Sequence, residues 1–161
     1  MNVADIGCMS YAAHPEDESK MKLIDRFRPD VYWGFDPHPA QEEYDGYAGT
    51  FAPQAATIVR RKAAWTFDGT IGLTIPPAVL NPLRTSVVLP TVNETVECFD
   101  LALFLRGKGP LVLKMDAEGA EHVLLPHVFA DPEAMSQITL LLIEWHGWPS
   151  CDIPIPWEPW Q

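Results

Sequence analysis

The sequence predicts an α/β fold with an open, mainly parallel sheet, and three observations carry that prediction. Leu111-Val112-Leu113-Lys114-Met115 is an apolar run of strand length between Gly109-Pro110 and Gly119, the pattern of a central parallel strand covered on both faces. A short strand at Val3-Ala4-Asp5-Ile6-Gly7, a helix opening at Pro15 and a second strand at Val31-Tyr32-Trp33-Gly34-Phe35 make a βαβ unit, whose crossover should be right-handed. A third apolar run, Ile138-Thr139-Leu140-Leu141-Leu142-Ile143, delivers Glu144-Trp145-His146 to its end. Ligands of open α/β sheets bind beyond the carboxyl ends of the strands. Asp116, Glu118, Glu144 and His146 are therefore expected along one sheet edge.

The bulk composition narrows the class. A chain of 161 residues with 47% hydrophobic and 20% charged content suits one folded domain with a substantial core. Its net charge of -11, from 11 basic and 22 acidic residues, argues against nucleic-acid binding, which needs clustered Lys and Arg. The apolar runs are too short to span a bilayer, and no basic n-region with an apolar h-region opens the chain. Cys8, Cys98 and Cys151 are scattered and odd in number, without CxxC spacing. This favours a reducing, cytoplasmic setting over a disulfide framework.

Each element has its local reason. Pro15, Glu16, Asp17 and Glu18 suit the first turn of a helix; Met21, Leu23, Ile24 and Phe27 give it an apolar face, and Pro29 stops it. Residues 41–53 read as a surface loop and residues 56–62 as a third strand. Trp65-Thr66-Phe67 and residues 70–74 flank Asp68-Gly69 as a hairpin would. A short strand is expected at residues 85–89. Thr91-Val92-Asn93-Glu94 has the form of a capping box, with Val96, Phe99 and Leu103 as the face of the helix it opens and Gly107 at its end. Gly119 to Phe129 should be helical at first, with Pro126 kinking or ending it, and Asp131-Pro132-Glu133 starts another helical turn. The tail, residues 148–161, is rich in Pro and Trp.

Four landmarks then line up: Asp5-Ile6-Gly7, Phe35-Asp36-Pro37, Lys114-Met115-Asp116-Ala117-Glu118-Gly119-Ala120-Glu121 and Ile143-Glu144-Trp145-His146. With Ala63-Ala64-Trp65 before Asp68-Gly69, their order and spacing resemble the FkbM-type family of S-adenosylmethionine-dependent methyltransferases, over residues 3–147. The resemblance implies a Rossmann-like class I methyltransferase fold with the final strands of the full sheet absent, spanning residues 1–147. It implies transfer of a methyl group to a hydroxyl of a sugar or other small acceptor. By position, Asp5, Gly7 and Cys8 would line the methionine part of the cofactor. Asp36, followed by Pro37, would hold the ribose, Ala63 and Ala64 would meet the adenine, and Asp116 would lie beside the sulfonium. The family carries a second glycine in the first loop where this chain has Tyr11.

A hydroxyl acceptor must lose a proton, and Asp116, Glu118 and His146 are the candidate catalytic groups at the sheet edge. An acidic pocket also attracts a cationic sulfonium. Each has a structural reading beside the functional one. Glu118 could cap the helix starting near Gly119, Glu121 reads as a solvated helix residue, and Lys114 should pair with a carboxylate because an unpaired buried ammonium is costly. His14, His38, His122 and His127 show no ligand spacing. Two other classes compete. Asp116, Glu118, Glu144 and His146 could ligate a divalent metal, or the chain could be an idle binding module that keeps the fold without the cofactor, as Tyr11 would allow. A nicotinamide enzyme is disfavoured because no GxGxxG follows the first strand. The sheet edge left by the absent strands needs cover from the tail or from a second subunit in a homodimer.

Overall fold

The computed structural model describes residues 1–8, 18–38, 48–52, 55–73 and 94–146. Strands β1 (Asn2–Ile6), β2 (Val31–Phe35), β3 (Ala48–Ala52), β4 (Ala55–Arg60), β8 (Leu111–Met115) and β9 (Ile138–Ile143) form one sheet. Its order is β3-β4-β2-β1-β8-β9, and all but the edge strand β3 run parallel. The parallel part is compatible with a Rossmann-like arrangement. Strands β5 (Ala63–Trp65), β6 (Gly69–Leu73) and β7 (Glu94–Asp100) form a second, three-stranded sheet in the order β5-β7-β6.

Strand alternation divides the core. Val3, Tyr32, Ala55 and Val112 pack on one side of the larger sheet with Leu23, Ile24 and Phe27 of helix α1 (Glu18–Phe27). On the other side Ala4, Ile6, Phe35, Leu111, Leu113 and Met115 meet three helices: α2 (Leu101–Leu105), α3 (Glu121–Phe129) and α4 (Pro132–Gln137). Those helices contribute Leu101, Leu105, Leu124, Val128 and Ala134. Burying each large aliphatic side chain is worth about 1.5–3 kcal/mol, so the two-sided apolar run of β8 is a main source of cohesion.

Several expectations need correction. Val96 to Leu103 is not one helix. Thr95 to Cys98 alternates exposed and buried, which is strand periodicity, and α2 begins only after Asp100. The true cap is Asp100, which accepts the Leu103 amide at 3.0 Å. The segments flanking Asp68-Gly69 do not form a hairpin, because β7 inserts between β5 and β6 and pairs with both. Part of the expected loop at 41–53 is strand β3. Helix α3 continues through Pro126 to Phe129, so that proline does not end it. The last parallel strand forms where expected but lies at the sheet edge, with Leu140 and Ile143 exposed rather than buried. Glu94, expected to close a capping box with Thr91, instead starts β7; Thr91 to Asn93, the strand at 85–89, Tyr11 and the tail lie outside the described residues.

Asp100 also joins α2 to α3, accepting from His127 Nε2 at 2.8 Å. Burial pushes its carboxyl up, but His127 and the Leu103 amide outweigh that and hold it below its ordinary value. A carboxyl depressed in the folded state stabilises fully above its unfolded pKa, and that contribution fades as pH falls through the folded value. The thermal midpoint of Asp100→Asn is therefore expected to lie below that of the parent at neutral pH and to converge on it below about pH 4. A gap that stays constant down to about pH 3 would contradict the pairing.

Candidate functional site at the carboxyl edge of the sheet

The ladder runs one residue past the strands and fixes their carboxyl ends against one another. Gly7 N–H donates to Phe35 O at 2.8 Å, Asp116 N–H to Ile6 O at 2.9 Å and Glu144 N–H to Met115 O at 2.9 Å. Strands β2 and β8 flank β1 on opposite sides, so the order reverses there, and in open α/β sheets that switch point is where ligands bind. Gly7 turns the chain at φ 76°, and its backbone lies so close to β8 that an added Cβ would stand 1.7 Å from the Asp116 carbonyl oxygen.

Lys114 neutralises the first carboxylate of the cluster. Its Nζ stands 3.1 Å from Asp5 Oδ1 and 3.3 Å from Asp116 Oδ2, and donates to the Gly7 carbonyl at 2.9 Å. The Asp5 contact is an ion pair rather than an aligned hydrogen bond, since Oδ1 lacks a directed donor. Burial works against the ammonium, but Asp5 and then Asp116 outweigh it and hold the lysine pKa above its ordinary value. The pairing expected for Lys114 is thus present. Asp5 itself is fully buried, and its other oxygen accepts from Tyr32 Oη at 2.6 Å. Tyr32 is a participant that sequence reasoning missed; as a strand residue facing the same side as Asp5, it could have been found by alternation.

The larger correction concerns Glu121. It is not a solvated helix residue but fully buried. Its Oε1 accepts the Ala117 amide at 2.6 Å and its Oε2 the Gly119 amide at 2.8 Å, closing the turn after β8. Glu118 does not cap α3: the cap position is Ala120, with no side-chain bond, and Glu118 sits in the turn at φ 49°. The missed signal was an accounting one. The amides around a helix start need acceptors, and no Ser, Thr or Asn lies between Asp116 and Glu121 to supply one.

Glu121 also holds His146, whose Nδ1 is 3.1 Å from Oε1. His146 Nε2 then faces Asp116 Oδ1, Glu118 Oε2 and Glu144 Oε1, each 3.7 Å away. Burial pulls the imidazole pKa down, but Glu121, Glu118 and Asp116 push it above its ordinary value. Asp116, Glu118, Glu144 and His146 are thus brought together as expected.

The remaining sequence-derived residues are placed less directly. Asp36 is buried and its Oδ1 accepts the His38 amide at 2.7 Å, closing a turn around Pro37 at the end of β2. Cys8 is buried and in no disulfide, and its amide donates to Phe35 O at 3.3 Å. Ala63 and Ala64 lie in the second sheet, paired to Cys98 and Phe99, with both side chains in apolar clusters. Beside them Trp33, Phe35, Phe99, Phe104, Arg60 and Asp68 help line a cleft of about 490 Å³.

Fold and site together define an open α/β protein with an acid-and-histidine cluster at the carboxyl edge of β8 and β9. No family model matches the chain, and neither a curated protein nor a solved structure matches it. Among the described residues no helix is long and apolar enough to cross a membrane.

Proposed function

We propose that the chain is an S-adenosylmethionine-dependent methyltransferase acting on a hydroxyl oxygen of a small molecule or sugar. The observation that carries this reading is the switch point. The Gly7 turn touches Asp116 there, and Asp36 closes the neighbouring strand. That arrangement suits a nucleoside laid across β1 and β2, with its reactive end toward β8.

When bound, S-adenosylmethionine would supply an electrophilic methyl group to the acceptor oxygen and depart as a neutral thioether. Holding the two reactants in line supplies about 7–11 kcal/mol of such a barrier. The hydroxyl proton passes to a carboxylate, Asp116 or Glu118. His146, facing the same rim, is the third candidate to take that proton. The acidic rim favours the cationic cofactor and a neutral or cationic acceptor over an anionic one.

Calorimetric titration with S-adenosylmethionine tests the reading. The parent is expected to release heat saturating at one equivalent. Asp36→Ala, still folded by circular dichroism, is expected to weaken binding by at least tenfold. No heat from a folded parent would leave a non-catalytic binding module as the better account.

A further inference from the structure

We propose that Asp116, Glu144 and His146 form a binding site for one divalent cation of the Mn²⁺ or Zn²⁺ class, with Glu121 as the group that orients the histidine. Asp116 ends β8, while Glu144 and His146 follow β9, so parallel pairing of the two strands sets three donors on one rim. One ligand atom from each lies within 4.8 Å of the others. Donors that share an ion at about 2.1 Å stand about 3.0–3.6 Å apart for angles between about 90° and 120°. His146 Nε2 is 3.7 Å from both Asp116 Oδ1 and Glu144 Oε1, so a closing of a few tenths of an ångström suffices on those sides. The Glu144 side chain is largely exposed, which lets it supply the movement.

The spacing around the histidine leaves room for an ion beside Nε2. An imidazole N–H paired with a carboxylate closes to about 2.7–2.9 Å, yet Nε2 stands at 3.7 Å from Asp116, Glu118 and Glu144 alike. The other ring nitrogen is held at 3.1 Å by Glu121, a fully buried carboxylate itself fixed by two backbone amides. Carboxylate to Nδ1–H, with Nε2 turned toward hard donors, is the arrangement in which a histidine serves as a metal ligand of fixed tautomer. Imidazole with two carboxylates suits Mn²⁺ or Zn²⁺ better than the all-oxygen preference of Ca²⁺.

The proposal shares Asp116 and His146 with the methyltransferase reading but does not rest on it, and its test contains no S-adenosylmethionine. The full chain, stripped of metal by chelator and dialysed, is titrated with Mn²⁺ at neutral pH in about 0.15 M salt, where diffuse attraction is screened. Free Mn²⁺ is followed by its electron paramagnetic resonance signal, with competition by Zn²⁺. The parent is expected to take up one equivalent. Glu144→Gln, at an exposed position that should not disturb folding, is expected to weaken uptake at least tenfold, as is His146→Gln. Glu121→Gln is expected to weaken it by about 10- to 100-fold while Asp116 and Glu144 remain in place. Uptake of neither metal by the parent overturns the site. So does uptake unchanged in Glu144→Gln, or reduced equally in Glu133→Gln, where the lost acid is a partner of Arg106.

Discussion

Replacing Gly7 by alanine is expected to destabilise the protein by roughly 4 kcal/mol or more. Two penalties add. The residue sits at φ 76°, where a side chain is disfavoured by about 1–2 kcal/mol, and the new Cβ would lie 1.7 Å from a backbone oxygen of Asp116. That oxygen belongs to the chain leaving a central strand and has no flexible end that could swing aside. Relief requires β1 to part from β8, which breaks the Asp116-to-Ile6 hydrogen bond and opens the switch point. Gly107→Ala is the matched control. Its φ is 67°, but nothing lies within 4 Å of the added carbon, so only the conformational penalty of about 1–2 kcal/mol remains. Denaturant unfolding of both variants measures the difference. Equal losses would mean that the approach of Gly7 to Asp116 is not maintained in solution.

Lys114→Met is expected to cost about 3–5 kcal/mol, because it leaves the fully buried carboxylate of Asp5 without its cation. The methionine fills most of the volume of the lysine stem, so lost packing is the smaller part of the effect. Asp5→Asn combined with Lys114→Met is expected to recover a substantial share of the loss, since the double variant removes both charges and keeps an oxygen for Tyr32 Oη. The double-variant cycle reads this coupling directly. Strict additivity would show that Asp5 and Lys114 do not depend on each other, and Lys114 would then be held mainly by Asp116 and the Gly7 carbonyl.

The strands that run between helices were legible because their signal is local. Val31–Phe35 and Leu111–Met115 are apolar runs with turn residues on both sides, Ile138–Ile143 is a third apolar run, and all three form as the sequence predicts. The same patterning placed Asp116, Glu118, Glu144 and His146 at one edge, since each follows directly on a strand end. Val96, Phe99 and Leu103 misled because apolar spacing of three and four also fits a strand followed by a helix. The deciding feature was Asp100, which ends β7 and caps α2 in the same position. The pairing around Asp68-Gly69 was out of reach for another reason. Turn residues favour a reversal, but they do not fix which strand comes to lie alongside.

By itself, the sequence determined the class of the fold, the existence of its central strands and the identity of the acids and histidine that gather at their ends. Composition and periodicity act through neighbours along the chain, and those are written in order. Only the tertiary structure decided that β7 separates β5 from β6, that Ile138–Ile143 lies at the sheet edge, that Asp5 is buried against Tyr32 and Lys114, and that Glu121 turns inward to hold both a turn and His146. Most of these depend on distant partners, 25 positions apart for His146 and Glu121 and 109 for Lys114 and Asp5. A buried polar group takes whichever partner the packed fold brings to it, and no local pattern encodes that choice.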